Sequence, residues 1–369
     1  MVKLLYAMGG PMVRAGAETM VMRYIREIIQ YQIFEVSILV HGDSKEKGDY
    51  DDEIESYGIR IYKIPRRGKT PLTYSKNLDE FFRSHRFDIV HCNMDAACGI
   101  FLKAAKKADI PVRIAHSHLT TYQATNPLKR VAAIISRNEI PYVATHYFAC
   151  SKKAGNFLFG DKSFTIINNA IDLNDYFPRI EMRSDLRKHY QIEENELVIG
   201  HIGRFCEQKN HKFILQIANE CKKRGVKFRM ALIGRGPLFE TIKDEIAKFD
   251  LAEHVMLLGA SDRIPDLLQM FDVFVMPSLF EGLPVTGIEA QAAGLPCVFS
   301  DKITSEICMT DNAIQLPIDD ANIWVDYLQN TAFSRNVERA QEALAKNGYS
   351  IQKESKKLMD MYTSMVGEK

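Results

Sequence analysis

Residues 272–294 read DVFVMPSLFEGLPVTGIEAQAAG. The apolar run 272–278 has the length and composition of a buried strand, and it delivers the chain to the carboxyl end of a sheet. Pro284 is well placed as the first residue of the helix that follows. Glu289 comes one and a half turns later, so Glu281 lies on the loop at the helix mouth and Glu289 roughly 7.5 Å along the axis. The amides of Leu283, Val285 and Thr286 fall at this mouth, where backbone N–H groups lack intrahelical partners and form an anion site. A phosphate-binding mouth flanked by two carboxylates, each able to accept from sugar hydroxyls, is a cradle for a nucleotide sugar. Taken alone, the Glu-x7-Glu spacing fits a solvated helix face as well.

Working outward, the same alternation of strand and helix runs from end to end. Short β-branched or aromatic runs (VKLLYA, FEVSILV, IRIYKI, FDIVHC, VRIAHS and HYFAC, then LVIGHIG, KFRMALIG, HVMLLG, DVFVMP and PCVFS) are separated by helical patterns. Such alternation implies parallel sheets with helices on both faces. The polar stretch SFTIINNAIDLNDYFP (163–178) closes the first series as a linker, and the second series opens near Leu197. The expected fold is α/β, with Rossmann-like domains over 1–170 and 171–348 and five or six strands in each. Ligands of open α/β sheets bind at the carboxyl ends of strands, so the active site is expected in the cleft between the halves.

Composition narrows the class. A chain of 369 residues is too long for one ordinary core and suits two domains. No apolar stretch approaches the ~18 residues of a spanning helix. The N-terminus, MVKLLYAMGGP, turns into glycines after a short apolar run, which fits a first strand and not a secretion signal. Seven cysteines, an odd number with no C-x-x-C pair, argue against a disulfide framework or zinc cluster and for a reducing cytoplasm. Residues 1–180 carry 25 Lys and Arg against 19 Asp and Glu, although the net charge of the whole chain is only +1. A basic first half suits an anionic acceptor or membrane surface, and the near-neutral whole shows no nucleic-acid footprint.

The segment EGLPVTGIEAQAAGLPCV (281–298) resembles the donor-site signature of retaining GT-B glycosyltransferases of the family 4 type, and the resemblance covers essentially the whole chain. It implies two facing Rossmann-like domains, a terminal helix over 349–366 that crosses back to the first, and a nucleotide-sugar donor, UDP-linked, used without a metal. The family's Gly-Arg-x(n)-Lys pattern falls on GRFCEQKN (203–210), so Gly203, Arg204 and Lys209 are carried over as the diphosphate clamp. Arginine supplies a planar fork and lysine a compact point charge. In IGRGPLFE (233–240), Phe239 stands where a dinucleotide fingerprint wants a third glycine or alanine, which disfavours a dehydrogenase. The resemblance gives Gly234 and Gly236 to close approach of the nucleotide, and LGASDRI (258–264), ending at Ile264, to the base. In MGGPMVRAGAE (8–18) the family's double glycine is replaced by Ala15-Gly16, so Gly16 keeps the role of admitting a ligand to the backbone ahead of a helix near Ala17.

Three strands of the first half end in histidine, at His41, His91 and His116. His116, within AHSHLTTY (115–122), matches the histidine that the family places opposite the donor sugar, whereas structural hydrogen bonding accounts for His41 and His91. His116 and His118 have no Cys or carboxylate beside them to complete a metal set. Asp49-Tyr50-Asp51 is an Asp-x-Asp, but it lies in an acidic run (42–53) of the kind that is usually solvated, and no metal is expected. Asn-Asn-Ala-Ile-Asp (168–172) resembles the family's hinge, with Ala170 in place of glycine. The helix NPLKRVAAIISRN (126–138) sets Lys129, Arg130 and Arg137 beside Val131, Ile134 and Ile135, and fits either a membrane surface or packing on its own domain.

The expected activity is transfer of a sugar to an acceptor hydroxyl with retention of configuration, in the cytoplasm or peripherally on the inner face of the cell membrane. The run ACSKKAGNFLFG (149–160) resembles bacterial exopolysaccharide and capsule members, which implies a glycan or polyprenyl-diphosphate-linked saccharide as acceptor. Arg204, Lys209 and the helix mouth then stabilise the departing diphosphate. Glu289, in an open cleft, binds the ribose, and Glu281 and His116 orient the donor sugar. Two rivals make different demands: a GT-B epimerase needs no acceptor, and a solute-binding protein captures ligand without turnover.

Overall fold

The computed structural model describes residues 1–43, 45–66, 71–122 and 126–367. Ser44, within the acidic run, lies outside them. The chain divides into two compact units, Met1–Ile171 with Tyr349–Lys369, and Asp172–Gly348.

In the first unit, β1 (Val2–Met8), β2 (Phe34–His41), β3 (Arg60–Ile64), β4 (Ile89–Asn93), β5 (Val112–Ser117), β6 (His146–Ala149) and β7 (Thr165–Ile166) form one sheet in the order β3-β2-β1-β4-β5-β6-β7. Every pairing is parallel. The sheet has seven strands where five or six were expected. The additional one, β7, is a two-residue exposed edge inside the stretch expected to be linker. Successive residues of β1 serve opposite faces: Leu4, Tyr6 and Met8 enter one core, while Leu5 and Ala7 enter the other. That split is the two-residue period of a strand buried on both sides.

The C-terminal helix Ile351–Gly367 completes the first of these cores with Ile351, Leu358, Met359 and Tyr362. Each such side chain contributes roughly 1.5–3 kcal/mol on burial, enough together to hold the helix firmly. Its entry is fixed by backbone bonds: Ile171 N–H donates to Tyr349 O at 3.0 Å, and Ile351 N–H donates to Ile171 O at 2.9 Å. Ala170, next to this crossing, is buried and is not among the residues with positive φ.

The second unit holds β8 (Leu197–Ile202), β9 (Phe228–Ile233), β10 (Val255–Gly259), β11 (Val273–Met276), β12 (Cys297–Ser300) and β13 (Ala313–Leu316), in the parallel order β10-β9-β8-β11-β12-β13. Its core joins Ile199, Met230, Leu232, Val273 and Val275 to the helix His211–Lys223 and to Trp324.

The helix Pro127–Val143 begins at Asn126, whose side chain accepts from the amides of Leu128 and Lys129. Ser136, Ile140 and Val143 form its buried face. Leu128, Val131, Ile135 and Tyr142 recur at helical spacing along another face, and all are exposed, Leu128 by 79% and Tyr142 by 75%. No helix among the described residues is long and apolar enough to cross a membrane.

Candidate active site

Each sheet reverses its strand order between two neighbours, β1 and β4 in the first and β8 and β11 in the second. Loops leaving the carboxyl ends at such switch points are where open α/β sheets hold ligands.

In the second unit those loops are laced together. Leu279 N–H donates to Gln208 O at 2.8 Å, Gln208 Nε2 donates to Phe280 O at 2.9 Å and to Glu281 Oε2 at 3.0 Å, and Asn210 Nδ2 donates to Pro277 O at 3.2 Å. Lys209 Nζ lies 2.6 Å from Glu281 Oε1, an ion pair whose angles fall outside hydrogen-bond geometry. Two residues assigned separate roles from the sequence therefore meet directly. Arg204 is exposed, with neither hydrogen bond nor ion pair among the described residues. The two cations of the expected clamp thus differ: Lys209 is anchored, and Arg204 has no such anchor among the described residues.

The helix of the signature runs Val285–Ala292 with Pro284 as its extended N-cap, one residue earlier in role than expected. Its bond ladder starts with Gly287 N–H donating to Pro284 O at 3.1 Å, so the amides of Leu283, Val285 and Thr286 precede the first intrahelical bond. Glu289 is buried, at 6% exposure, and not open to solvent as an open cleft would leave it. An eight-residue helix packed through Gly287, Ile288 and Ala290 carries its second turn into the core, and Glu289 with it.

Gly203, Gly234 and Gly236 come together, but for a reason other than nucleotide approach alone. Gly234 has φ +142°, and a Cβ there would stand 2.0 Å from Gly203 O; one at Gly236 would stand 2.3 Å from Phe205 O. These glycines let the loops after β8 and β9 pack backbone to backbone, sealed by Phe205 N–H to Arg235 O at 3.0 Å. Ile264 opens the short helix Ile264–Leu267 beyond β10. Behind the loops, His201 and His211 are buried; burial, then Lys209, pushes His211 down to about 4.

In the first unit Gly16 is the first residue of the helix Gly16–Ile28, after β1. His41 is a satisfied structural histidine, with Met8 O at 2.7 Å and Tyr74 Oη at 2.8 Å. His116 is fully buried in a cluster that the sequence did not reveal. Its Nδ1 lies 2.9 Å from His91 Nε2, and its ring stacks on His118 at 4.1 Å. His118 Nε2 bonds Asn93 Oδ1 at 2.9 Å, and the amides of His118 and Leu119 both donate to Asp95 Oδ1. His116 Nε2 is buried without a partner among the described residues. Asn93 ends β4 and Asp95 follows it at the switch point, a position from which strand order could have found them; Tyr362 and Gln208 carry no local signal.

Among the described residues no three His, Cys, Asp or Glu side chains converge to hold a metal ion. Asp49 instead accepts from Arg14 N–H at 2.8 Å, and Asp51 lies 3.6 Å from Lys63 Nζ.

Two all-parallel Rossmann-like sheets, with a cationic, laced loop pair and a helix mouth at the switch point of the second, define a GT-B glycosyltransferase architecture. The pattern described as Glycosyl transferases group 1 matches residues 182–323, and that of Glycosyltransferase Family 4 matches residues 14–175. EpsF of Bacillus subtilis (strain 168), to which a glycosyltransferase activity is ascribed, is 35% identical over 375 residues, spanning 98% of this chain and 96% of that protein. The chain belongs to this family of glycosyltransferases. The UDP-Gal:alpha-D-GlcNAc-diphosphoundecaprenol alpha-1,3-galactosyltransferase of Escherichia coli is 24% identical, with 93% of this chain and 92% of that one covered. The structure of Anabaena HepE in complex with UDP superposes with a TM-score of 0.80 at 17% identity, over 99% of this chain and all of that one, which establishes the shared fold.

Proposed function

We propose that this glycosyltransferase moves a sugar from a UDP-linked donor to a hydroxyl of a glycan or polyprenyl-diphosphate-linked saccharide, with retention of configuration and without a metal, in bacterial surface-glycan synthesis. The observation that carries the reading is the convergence of Arg204, Lys209, Glu281 and the amides of Leu283, Val285 and Thr286 around one switch point. UDP in HepE and a diphosphoundecaprenol acceptor in the E. coli relative support the choice of donor and acceptor.

In this mechanism negative charge grows on the β-phosphate as the glycosidic bond breaks. Arg204, exposed on the loop after β8, and the helix-mouth amides meet it, so the site needs no metal of its own. Lys209 contributes its charge from a fixed position. Glu289 accepts from the ribose, Glu281 and His116 orient the sugar, and the departing phosphate takes the acceptor's proton as the acceptor attacks from the same face.

A cytoplasmic enzyme with a lipid-linked acceptor works at the inner membrane surface. The exposed stripe Leu128, Val131, Ile135 and Tyr142, with Lys129 and Arg130 in the first turn of the same helix, suits an anionic bilayer surface.

Thermal denaturation against a panel of nucleotide sugars tests the donor, since a ligand at 100 times its Kd adds about 2.7 kcal/mol. Glu289→Gln, which keeps the buried shape, should lower UDP affinity by roughly 1.5–3 kcal/mol. NMR of the product linkage then reads the anomer; inversion refutes the retaining mechanism, and product formed without acceptor favours an epimerase.

A further inference from the structure

The first unit contains a line of four polar rings longer than the proposed reaction requires. Tyr6 Oη and Tyr362 Oη are 3.0 Å apart, Tyr362 Oη is 2.5 Å from His91 Nδ1, and His91 Nε2 is 2.9 Å from His116 Nδ1. All four side chains are buried. The line ends at His116 Nε2, the buried nitrogen without a partner.

Proton positions along such a line are constrained, because a neutral imidazole has one N–H and one lone pair. Phenol is the stronger acid and an imidazole nitrogen the better acceptor, so Tyr362 donates to His91 Nδ1. His91 then carries its hydrogen on Nε2 and donates to His116 Nδ1. His116, accepting at Nδ1, bears its own hydrogen on Nε2. The oxygen of Tyr362 is left to accept from the Tyr6 hydroxyl, and every bond runs in one direction. Burial keeps the rings neutral, as this requires: it pushes His91 down to about 3, with His118 adding to the effect, and drives His116 well below its ordinary value.

We propose that Tyr362 and His91 are positioning residues that hold His116 in the tautomer with hydrogen on Nε2, so that it meets the donor sugar as a hydrogen-bond donor and not as a base. The inference rests on the role given to His116 above. A buried donor with no acceptor is costly, and a ligand oxygen removes that cost. Reaching it requires displacing a neighbour, and His118 is the closest of the rings around it. The C-terminal helix, far from the site in sequence, thereby sets the hydrogen-bonding polarity of a site residue: Tyr362 and His91 are 271 positions apart.

The test is a long-range proton–nitrogen correlation spectrum of the full chain labelled with nitrogen-15 histidine, at neutral pH, with His116→Ala identifying the His116 signals. The expected result is a protonated Nε2 and an unprotonated Nδ1 at His116, with Tyr362→Phe producing a mixture of tautomers and Tyr6→Phe producing none. Should Tyr362→Phe fail to fold, His91→Phe removes the donor to His116 directly and should give the same mixture. A protonated Nδ1 in the unaltered chain, or a His116 tautomer indifferent to both substitutions, overturns the inference. UDP release from the UDP-sugar that stabilises the chain most provides the second readout. Tyr362→Phe should lower kcat roughly three- to tenfold, the worth of one neutral hydrogen bond, with KM unchanged. Full turnover in His116→Ala removes the role of His116 and this inference with it. A reversed tautomer alongside lost turnover in His116→Ala overturns the inference alone and leaves the proposed function standing.

Discussion

Lys209 Nζ and Glu281 Oε1 stand 2.6 Å apart, joining the loop after β8 to the loop after β11, and both side chains are nearly buried, at 13% and 10% exposure. A pair this enclosed fixes loop geometry as well as charge. Removing one partner strands the other away from water, which costs on the order of 3 kcal/mol for a buried pair. Lys209→Ala and Glu281→Ala should each shift the urea midpoint down markedly, and the double variant should lose much less than their sum. Additive losses would mean that the two side chains act independently.

Arg204 provides the contrast. It is exposed and unpartnered among the described residues, so Arg204→Ala should leave stability within about 0.5 kcal/mol. Turnover should still fall about a hundredfold if the guanidinium meets charge that grows only in the transition state, a loss of about 3 kcal/mol. Steady-state kinetics decide the matter, because a rise in KM at constant kcat reduces Arg204 to a donor anchor.

The difference between these two cations marks the limit of what the sequence discloses. Strands such as 112–117 are legible because β-branched runs buried on both faces have no other use. β7 and β13 escape notice as short edges, the one a two-residue exposed strand and the other, AIQL, lacking a β-branched run. Motif spacing locates Arg204, Lys209, Glu281 and Glu289 on their elements. It does not disclose that Gln208 and Lys209 hold Glu281, since that follows from β8 and β11 being sheet neighbours, nor that Glu289 sits on the buried part of a short helix packed into the core. The links from Tyr362 through His91 to His116 depend on the last helix docking on the first core, which no local pattern encodes.

Acid should destabilise the fold before most carboxylates titrate. Burial lowers the pKa of His91 to about 3 and of His211 to about 4, and drives His116 and His201 well down. The unfolded chain, with histidines near 6.5, binds more protons than the folded one below that pH. The stabilisation is therefore complete above about 6.5 and lost as pH falls toward the folded values, by about 1.4 kcal/mol per pH unit for each histidine inside its window. Urea midpoints should fall from neutral pH to pH about 5, and His211→Phe should flatten the slope. Equal midpoints across that range would show that these rings are charged in the folded state.

The exposed stripe on the helix Pro127–Val143 yields a prediction that separates surface binding from folding. Val131 and Ile135 are 53% and 58% exposed, so Val131→Ser with Ile135→Ser should leave thermal stability nearly unchanged. If these side chains enter the acyl boundary of a bilayer, the pair of substitutions removes apolar transfer energy of roughly 1.5–3 kcal/mol per fully buried side chain, a loss of tenfold or more in partitioning. Lys129 and Arg130 add an attraction of about 1 kcal/mol each to anionic lipid that salt screens over the Debye length. Co-sedimentation with vesicles containing phosphatidylglycerol should therefore weaken with salt and weaken further in the double variant, while vesicles of neutral lipid bind less. Binding that ignores both salt and the double substitution would place the contact elsewhere on the chain, and no binding at all would dismiss the membrane surface as a partner while leaving the donor chemistry at Arg204, Lys209 and Glu281 untouched.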